Sequence, residues 1–573
     1  MGGFVLAQRR HASEAMIAKA IGTFHEMGSP PPITIEAEDY VLHYVPKSLD
    51  PRAQLLRLPE GRFLAAGGTL VYGARMGEAA LRLLAEAPDR DAALADCRGH
   101  FVLIEGGPEG VRVRRDPCAA IEVFVNAARG ILSTSFLALA RSMPRRVLRR
   151  QEAYEYLFHG HTLGTGTVLE GIRRLDEGET ARLDTTLRLD RAEPWPVPAP
   201  ARGDRRRLAG QAVELLSDTL QEVSTAFSGR ASLALSGGYD TRLVLALARR
   251  IGLEPDLFVY GPDDSSDVVT ARHIAAQEGL ALQHIDKARI CPEVAEADYA
   301  DIIRRNLLEA DGVVYGGIFG PPSEALARPL RHRDGAVALH GGGGESFRNF
   351  FGIPDRPTTT RAIAQLFFRV PAEVAASGFS ASGYAARIAE KMDATLGTRP
   401  GKLPRHVIEA LYPRFRYRFW VGKELTVNAR AGHCFLPLYD ARSVRLALSM
   451  PVRFKAHGNL EAEMIRLADP ALAGHASSYG HDFTRDAPAG HALRDWVLAQ
   501  RPAWLRQAMY RRASRGGTPR RLWHEDWARD LLGLDSPVMR MLVEPGGMRR
   551  SASFENGCTL SVLVRDLAVS DVI

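Results

Sequence analysis

The sequence predicts an α/β protein in two parts. A layered α+β unit spans residues 1–192, and a doubly wound parallel-sheet unit with a helical C-terminal part spans 208–545. Three observations carry this. Short strand-like runs recur between turn residues in the first third. A Pro-rich, charged stretch, AEPWPVPAPARGDRRR at 192–207, then interrupts the chain. Beyond it, short apolar strands alternate with amphipathic helices. Such alternation produces a parallel sheet with helices on its faces.

The bulk properties agree. A chain of 573 residues is too long for one core and suggests two to four domains. Its 46% hydrophobic and 25% charged residues exclude a disordered or fibrous chain. No apolar run is long enough to span a membrane, so no membrane partner is expected. MGGFVLAQRR carries too short an apolar run for a signal peptide, and Leu6 stands where a myristoylation motif needs Ser or Thr. The five cysteines (Cys97, Cys118, Cys291, Cys434, Cys558) are scattered and form no CxxC pair. That fits a cytoplasmic location and argues against a zinc ribbon or a disulfide framework. The net charge is +7, and the densest basic run is RRASRGGTPRR at 511–521. It lacks interleaved aromatics, so a solvated face or loop is the plainer reading than a nucleic-acid surface.

The elements follow in order. GGFVLAQ, YVLHYVP, GHFVLIEG, GVRVRRD, IEVFVN, GILSTS and ETARLD read as strands. SEAMIAKAIGTFHEM and GEAALRLLAEA have helical spacing. Residues 193–207 form the linker. LAGQAVELLSDTLQEVSTAF is an amphipathic helix. Strand ASLAL then leads to helix TRLVLALARRIG, and strand PDLFVYG to helix SDVVTARHIAAQEGL; LQHID and GAVALHG are further strands. From about residue 400 the chain reads as mostly helical, without repeats, and 546–573 is left as an unplaced tail.

The chemistry concentrates at LSGGYDTR, 235–242. Ser236, Gly237 and Gly238 fall at the carboxyl end of a strand, where open α/β sheets bind ligands. Glycines there let the backbone approach an anion, the amides of the loop and of the first turn of a helix beginning near Thr241 point at it, and the helix dipole favours negative charge. Asp240 would repel a phosphate, so its presence makes sense if Mg²⁺ lies between carboxylate and phosphate. No Walker-type Gly-x-x-x-x-Gly-Lys occurs. On the residues alone, a tight turn capped by Ser236 and Asp240 stays equally open. Arg242 is either a phosphate contact or an ordinary surface arginine of the helix.

SGGYDT resembles the SGGxD(S/T) pyrophosphate loop of N-type ATP pyrophosphatases, and its neighbours resemble the asparagine synthetase family. VYGPDDSSDVVTARHIAAQEGL is similar to that family's second strand–helix unit. HGGGGES sits where the family has SGxGSDE, LPLYD resembles its PFLD, and EAEMIRLADPALAG its KxxLRxA…LP segment. In the first unit, the segment around GHFVLIEG…VRRD is similar to the GxFAxxxxD of a glutaminase-type (Ntn) sandwich domain, and EGIRRLDEGETARLD to its FxGIxRLxPGxxLxxD. The resemblance spans roughly residues 1–480. It implies ATP and Mg²⁺, with Ser236, Gly237, Gly238, Tyr239, Asp240, Thr241, Gly261, Gly341, Gly343 and Gly344 around the nucleotide. Asp240 and Glu345 would be metal ligands and catalytic groups.

The chain departs from that pattern at four places. Glu345 occupies the position of the family's Asp and would still ligate Mg²⁺, with one more methylene of reach. Where glutamine-hydrolysing members carry a cysteine nucleophile, this chain has Gly2, so no glutaminase activity is expected, as in β-lactam synthetases and lasso-peptide cyclases. Gly342 lies where asparagine synthetases carry Glu and β-lactam synthetases Tyr. SSYGHDF at 477–483 lacks the family's lysine, and His481 is the remaining candidate there for a positive charge or a base. The implied function is an AMP-forming carbon–nitrogen ligase. It would adenylate a small-molecule or peptide carboxylate and pass it to an amine from a source other than glutamine, with a macrolactam cyclase as one form. DGVVYGG at 311–317 is a candidate acceptor pocket, though a buried strand and turn fit it as well. The alternatives are an ammonia-using asparagine synthetase-type enzyme and a nucleotide-binding pseudoenzyme that holds a peptide or a partner protein delivering one. A tRNA-modifying member of the same superfamily lacks a catalytic cysteine pair or RNA-binding module to support it.

Overall fold

The first unit of the computed structural model contains two six-stranded antiparallel sheets packed face to face. The structure describes residues 2–50, 52–286, 289, 299–312, 318, 323–368, 370–371, 374–501, 505–506, 509, 532–548 and 553–573. The run 511–521, Cys291 and residues 313–317 of the acceptor-pocket candidate lie outside them.

In one sheet the order is Arg173–Arg174, Phe124–Asn126, Ile131–Ser133, Gly3–Gln8, Tyr40–Val45, Ile33–Glu36. In the other it is Leu187–Arg191, Glu179–Leu183, Gly110–Arg115, Phe101–Gly107, Phe63–Gly68, Leu55–Arg57. Strand period sorts the side chains of the second sheet. Val102 and Ile104 join the large core shared with Val5 and Leu42, while Phe101 and Leu103 join a separate cluster with Leu81, Leu84 and Leu94 under the outer helices Gly77–Glu86 and Arg90–Ala95. Helices Glu14–Glu26 and Phe136–Ser142 cover the first sheet, completing an α-β-β-α sandwich. Gly2 is hemmed in: a Cβ there would lie 2.7 Å from the Pro46 carbonyl oxygen and 2.9 Å from that of Arg430.

Residues 192–204 carry no regular structure, and Asp204 caps the helix Arg205–Ala226 by accepting from the Arg207 amide. The second unit is a five-stranded parallel sheet. Its order is Leu282–Ile285, Asp256–Tyr260, Ala231–Ala234, Val337–Leu339, His433–Phe435. The α/β expectation therefore holds. His433–Phe435 is a strand in a region that reads as helical. The unplaced tail contains the buried helix Phe554–Asp566 and a two-residue strand, Asp571–Val572, that pairs parallel with Val147–Leu148. Asp311 is a cap: its carboxylate accepts from the Ser135 hydroxyl and the Phe136 and Leu137 amides at 2.5, 2.7 and 3.1 Å. Cys97, Cys118, Cys434 and Cys558 are free, buried thiols. No helix among the described residues is long and apolar enough to cross a membrane.

Candidate active site

The sheet grows outward in both directions from Ala231–Ala234. Two strands are added on one side before the chain returns to add Val337–Leu339 on the other. The connections diverge there, which opens a crevice at the carboxyl ends of the two strands. The loops that leave them are 235–238 and 340–344, the two glycine-rich motifs, so the fold brings them together.

The contact is tight. A Cβ at Gly341 would stand 2.8 Å from the carbonyl carbon of Asp240 and the amide nitrogen of Thr241, and one at Gly344 would stand 2.0 Å from Asp240 Oδ1. Gly343 takes φ +93°, the left-handed region that glycine tolerates. At Gly342, the space a Cβ would fill is held by the Tyr417 hydroxyl, 1.8 Å from that point. Tyr417 Oη is buried without a hydrogen-bond partner.

Helix Tyr239–Arg250 opens at Gly238 with no side-chain cap, leaving its first amides uncapped by any side chain. The loop before it is partly committed. The Ser236 hydroxyl pairs with that of Thr241 at 2.9 Å, and the Gly237 amide donates to Asp267 Oδ1 at 3.0 Å. A carboxylate thus already sits on one loop amide. Gly261, with φ +132°, turns the chain after Asp256–Tyr260, and its carbonyl lies 2.7 Å from His284 Nε2.

Asp240 faces Arg348, whose Nη2 donates to both carboxylate oxygens at 2.8 and 2.7 Å. Arg348 also lies 3.1 Å from Glu461 Oε2 through Nε and 3.6 Å from Glu345 Oε1 through Nη2. Glu461 is wholly buried, on the helix Asn459–Ala468 that packs against Arg205–Ala226 and Tyr239–Arg250. Loss of hydration raises the pKa of Asp240, with Arg348 opposing it, and loss of hydration together with the Asp240 charge pushes Glu461 well above the usual carboxylate range. Glu345 accepts from the Tyr412 hydroxyl at 2.5 Å. Burial raises both the Tyr412 and the Tyr417 phenol.

His481 is not drawn into this cluster. Its Nδ1 lies 2.7 Å from the Asp482 carbonyl oxygen, and its ring meets Phe483 and His491. The segment contributes Tyr479 instead. The Tyr479 hydroxyl accepts from Arg348 Nη1 at 3.3 Å, and its ring lies 4.7 Å from that of Tyr239. Its neighbour Ser478 donates from its amide to the Gly237 carbonyl at 3.1 Å. Neither reading of Arg242 holds, because it is fully buried. It donates to the His475 and Ala476 carbonyls at 2.7 and 2.8 Å over the Phe483 ring, and so anchors this segment.

Sequence reasoning missed Arg348, Glu461, Tyr412, Tyr417 and Tyr479. Glu461 alone left a trace, an acid at helical spacing from Met464 and Ile465 on an apolar face. Among the described residues no three acidic, histidine or cysteine side chains are arranged to hold a metal unaided. Mg²⁺ is commonly held by one or two carboxylates together with substrate phosphates. Asp240 and Glu345 are two carboxylates facing the one Arg348 guanidinium, so that donor set fits this mode.

No protein-family model matches this sequence, and no curated protein matches it. Among solved structures, a glutamine phosphoribosylpyrophosphate amidotransferase from B. subtilis complexed with ADP and GMP matches at 10% identity and a TM-score of 0.25, covering 63% of this chain and 77% of its own. An allosteric regulatory enzyme of purine biosynthesis matches at 11% identity and a TM-score of 0.24, covering 63% and 76%. At such scores neither likeness bears on activity.

Proposed function

We propose that this protein is an ATP-dependent amide-bond-forming ligase whose amine comes from a source other than glutamine. The observation that carries the reading is the meeting of two glycine-rich loops at the switch point of the sheet, with the Asp240 carboxylate between them. In the first step an oxygen of the substrate carboxylate attacks the α-phosphorus of ATP. The bond to the bridging oxygen breaks, and pyrophosphate leaves. In the second, an amine nitrogen attacks the acyl carbon, AMP departs, and one proton is released. Loop 235–238 and the uncapped amides after it receive the phosphates. Asp240 and Glu345 would hold Mg²⁺, which supplies neutralisation of phosphate charge. Tyr417, reaching the place of a side chain at 342, and the Tyr412–Glu345 pair line the acyl-transfer side.

Macrolactam formation on a peptide is one form of this reaction, since the first unit, with no room for a side chain at Gly2, offers no nucleophile there to release an amine from glutamine. A cytoplasmic location suits the unpaired thiols, and a partner protein that delivers the peptide belongs to the same reading. A second reading, a nucleotide-binding protein without turnover, is favoured by the Asp267 carboxylate on the Gly237 amide. Release of AMP and pyrophosphate from ATP with Mg²⁺, against a panel of carboxylates, peptides and amines, separates them. Turnover in the wild type that is lost in Asp240→Asn supports the ligase. Nucleotide binding with no turnover on any candidate supports the second reading, and no nucleotide binding refutes both.

A further inference from the structure

We propose that Arg348 is the phosphate-binding side chain of this crevice, with a pyrophosphate-type group as its ligand. The inference rests on the ligase reading and adds to it a residue and the part of the nucleotide that it takes. Among the described residues, no other lysine or arginine pairs with Asp240, Glu345 or Glu461. Arg348 therefore brings the cationic charge to the point where both glycine-rich loops meet.

Its geometry suits an oxyanion. The guanidinium is a planar fork that matches phosphate in two bonds and keeps its charge at any working pH. It is held before any ligand arrives. Its central carbon lies 5.6 Å from the Tyr239 ring centroid, and Tyr239 in turn packs against Tyr479 and, at 4.2 Å, Phe483. The side chain is not sealed, with 17% of its surface exposed. Its strongest partner is also exchangeable: a cation on Asp240 would take over the carboxylate that both short bonds serve, freeing Nη2 for a phosphate oxygen. Glu461 Oε2, wholly buried, stands 3.1 Å from Nε.

Calorimetric titration of magnesium pyrophosphate and, separately, of adenosine into wild type, Arg348→Ala and Arg348→Lys tests this, with thermal melts for each protein. The wild type is expected to bind both. The alanine variant should lose roughly 10- to 100-fold in pyrophosphate affinity, the scale of one charge-assisted pair, and keep adenosine within about twofold; lysine should recover part of the loss. Equal weakening of both ligands, or pyrophosphate binding unchanged in the alanine variant, would make Arg348 a structural counter-ion and overturn the inference while leaving the ligase reading intact. A wild type that binds neither ligand overturns the ligase reading and this one with it. If the alanine variant does not fold, Arg348→Gln against Arg348→Lys decides: binding that survives only with the charge supports the inference, and equal binding overturns it.

Discussion

Gly341→Ala is the most direct test of the crevice. The added methyl would stand 2.8 Å from backbone atoms of Asp240 and Thr241, inside ordinary van der Waals contact. Neither neighbour is a flexible side chain, so one loop must move by about 0.6 Å to reach normal contact distance. Gly341 is not in the left-handed region, and the effect is therefore steric. Overpacking of this kind costs about 1–3 kcal/mol. For a unit of this size that lowers Tm by roughly 1–4 °C. The same shift alters the placement of the Asp240 carboxylate against Arg348. Misplacement on this scale can reduce function by about 100-fold, so pyrophosphate binding should fall at least tenfold. Gly22→Ala is the matched control. Gly22 is exposed within the helix Glu14–Glu26, and its new methyl would meet nothing within 4 Å. That substitution should stabilise by about 0.5–1 kcal/mol and leave binding unchanged. Melting curves and pyrophosphate titrations of the two variants side by side give the answer. A Gly341→Ala protein with wild-type Tm and affinity would refute the close approach of the loops, and with it the site built on them.

Two further outcomes follow from buried charges in the first unit and at its boundary. Burial pushes Asp116 up to about 7, against about 3.9 in an unfolded chain. The folded protein thus keeps a proton that the unfolded chain has lost between pH 4 and 7, and its stability falls as pH rises through that window by about 1.4 kcal/mol per unit. Relative to Asp116→Asn, the unfolding free energy of the wild type should drop by roughly 2–3 kcal/mol from pH 5 to pH 7, measured by urea denaturation. Lys423 behaves in the opposite sense. Its Nζ is buried without a hydrogen bond beside Glu122 and Asp311, and burial lowers its pKa to about 7. The stability it gives is present above the unfolded value near 10.4 and is lost as pH falls through 7. Lys423→Met should therefore stabilise the protein by about 1–3 kcal/mol at pH 7, with the gain vanishing toward pH 10. Denaturant midpoints at the two pH values check it.

The parallel sheet was legible because its strands are apolar runs between turn residues and amphipathic helices, a pattern set by local periodicity. The strand His433–Phe435 was not, since three residues between a helix and a turn carry no period. The same limit hid the strands Ile33–Glu36 and Leu187–Arg191, whose alternation is weak and whose faces are partly exposed. Within the site, glycines and the acids beside them announce themselves by position in a loop. Arg348 does not, because an arginine just past a glycine run looks like any surface cation; only the approach of Asp240 and Glu461 from distant parts of the chain makes it central. His481 shows the converse. Its residue type suggested chemistry, but the 477–483 turn directs the ring toward His491 and presents Tyr479 to the crevice.

The two units are joined in a way that gives the first a positional task. Lys47 is buried and donates from Nζ to the Ala429 and Gly432 carbonyls at 2.6 and 2.7 Å, while the Ser48 and Leu49 amides donate to the carbonyls of Arg430 and Ala431. These bonds satisfy the last carbonyls of the helix Arg418–Ala431, which would otherwise end unpaired in the interior. That helix continues directly from the π-helical segment Tyr412–Tyr417, which carries Tyr412 to Glu345 and Tyr417 to Gly342. On the other side of the sheet end, Asp440 accepts from the Gly99 amide at 3.3 Å, and the Cys118 thiol donates to the Tyr439 carbonyl at 3.3 Å. The first unit therefore braces the segment that walls the crevice at its C-terminal part, at 429–432 and again at 439–440. Close packing transmits displacement rather than absorbing it, so Lys47→Met is expected to weaken pyrophosphate binding through the helix Arg418–Ala431, as titration of the variant would show. That arrangement explains how a sandwich with no space for a side chain at Gly2 can remain integral to a site formed wholly by the second unit.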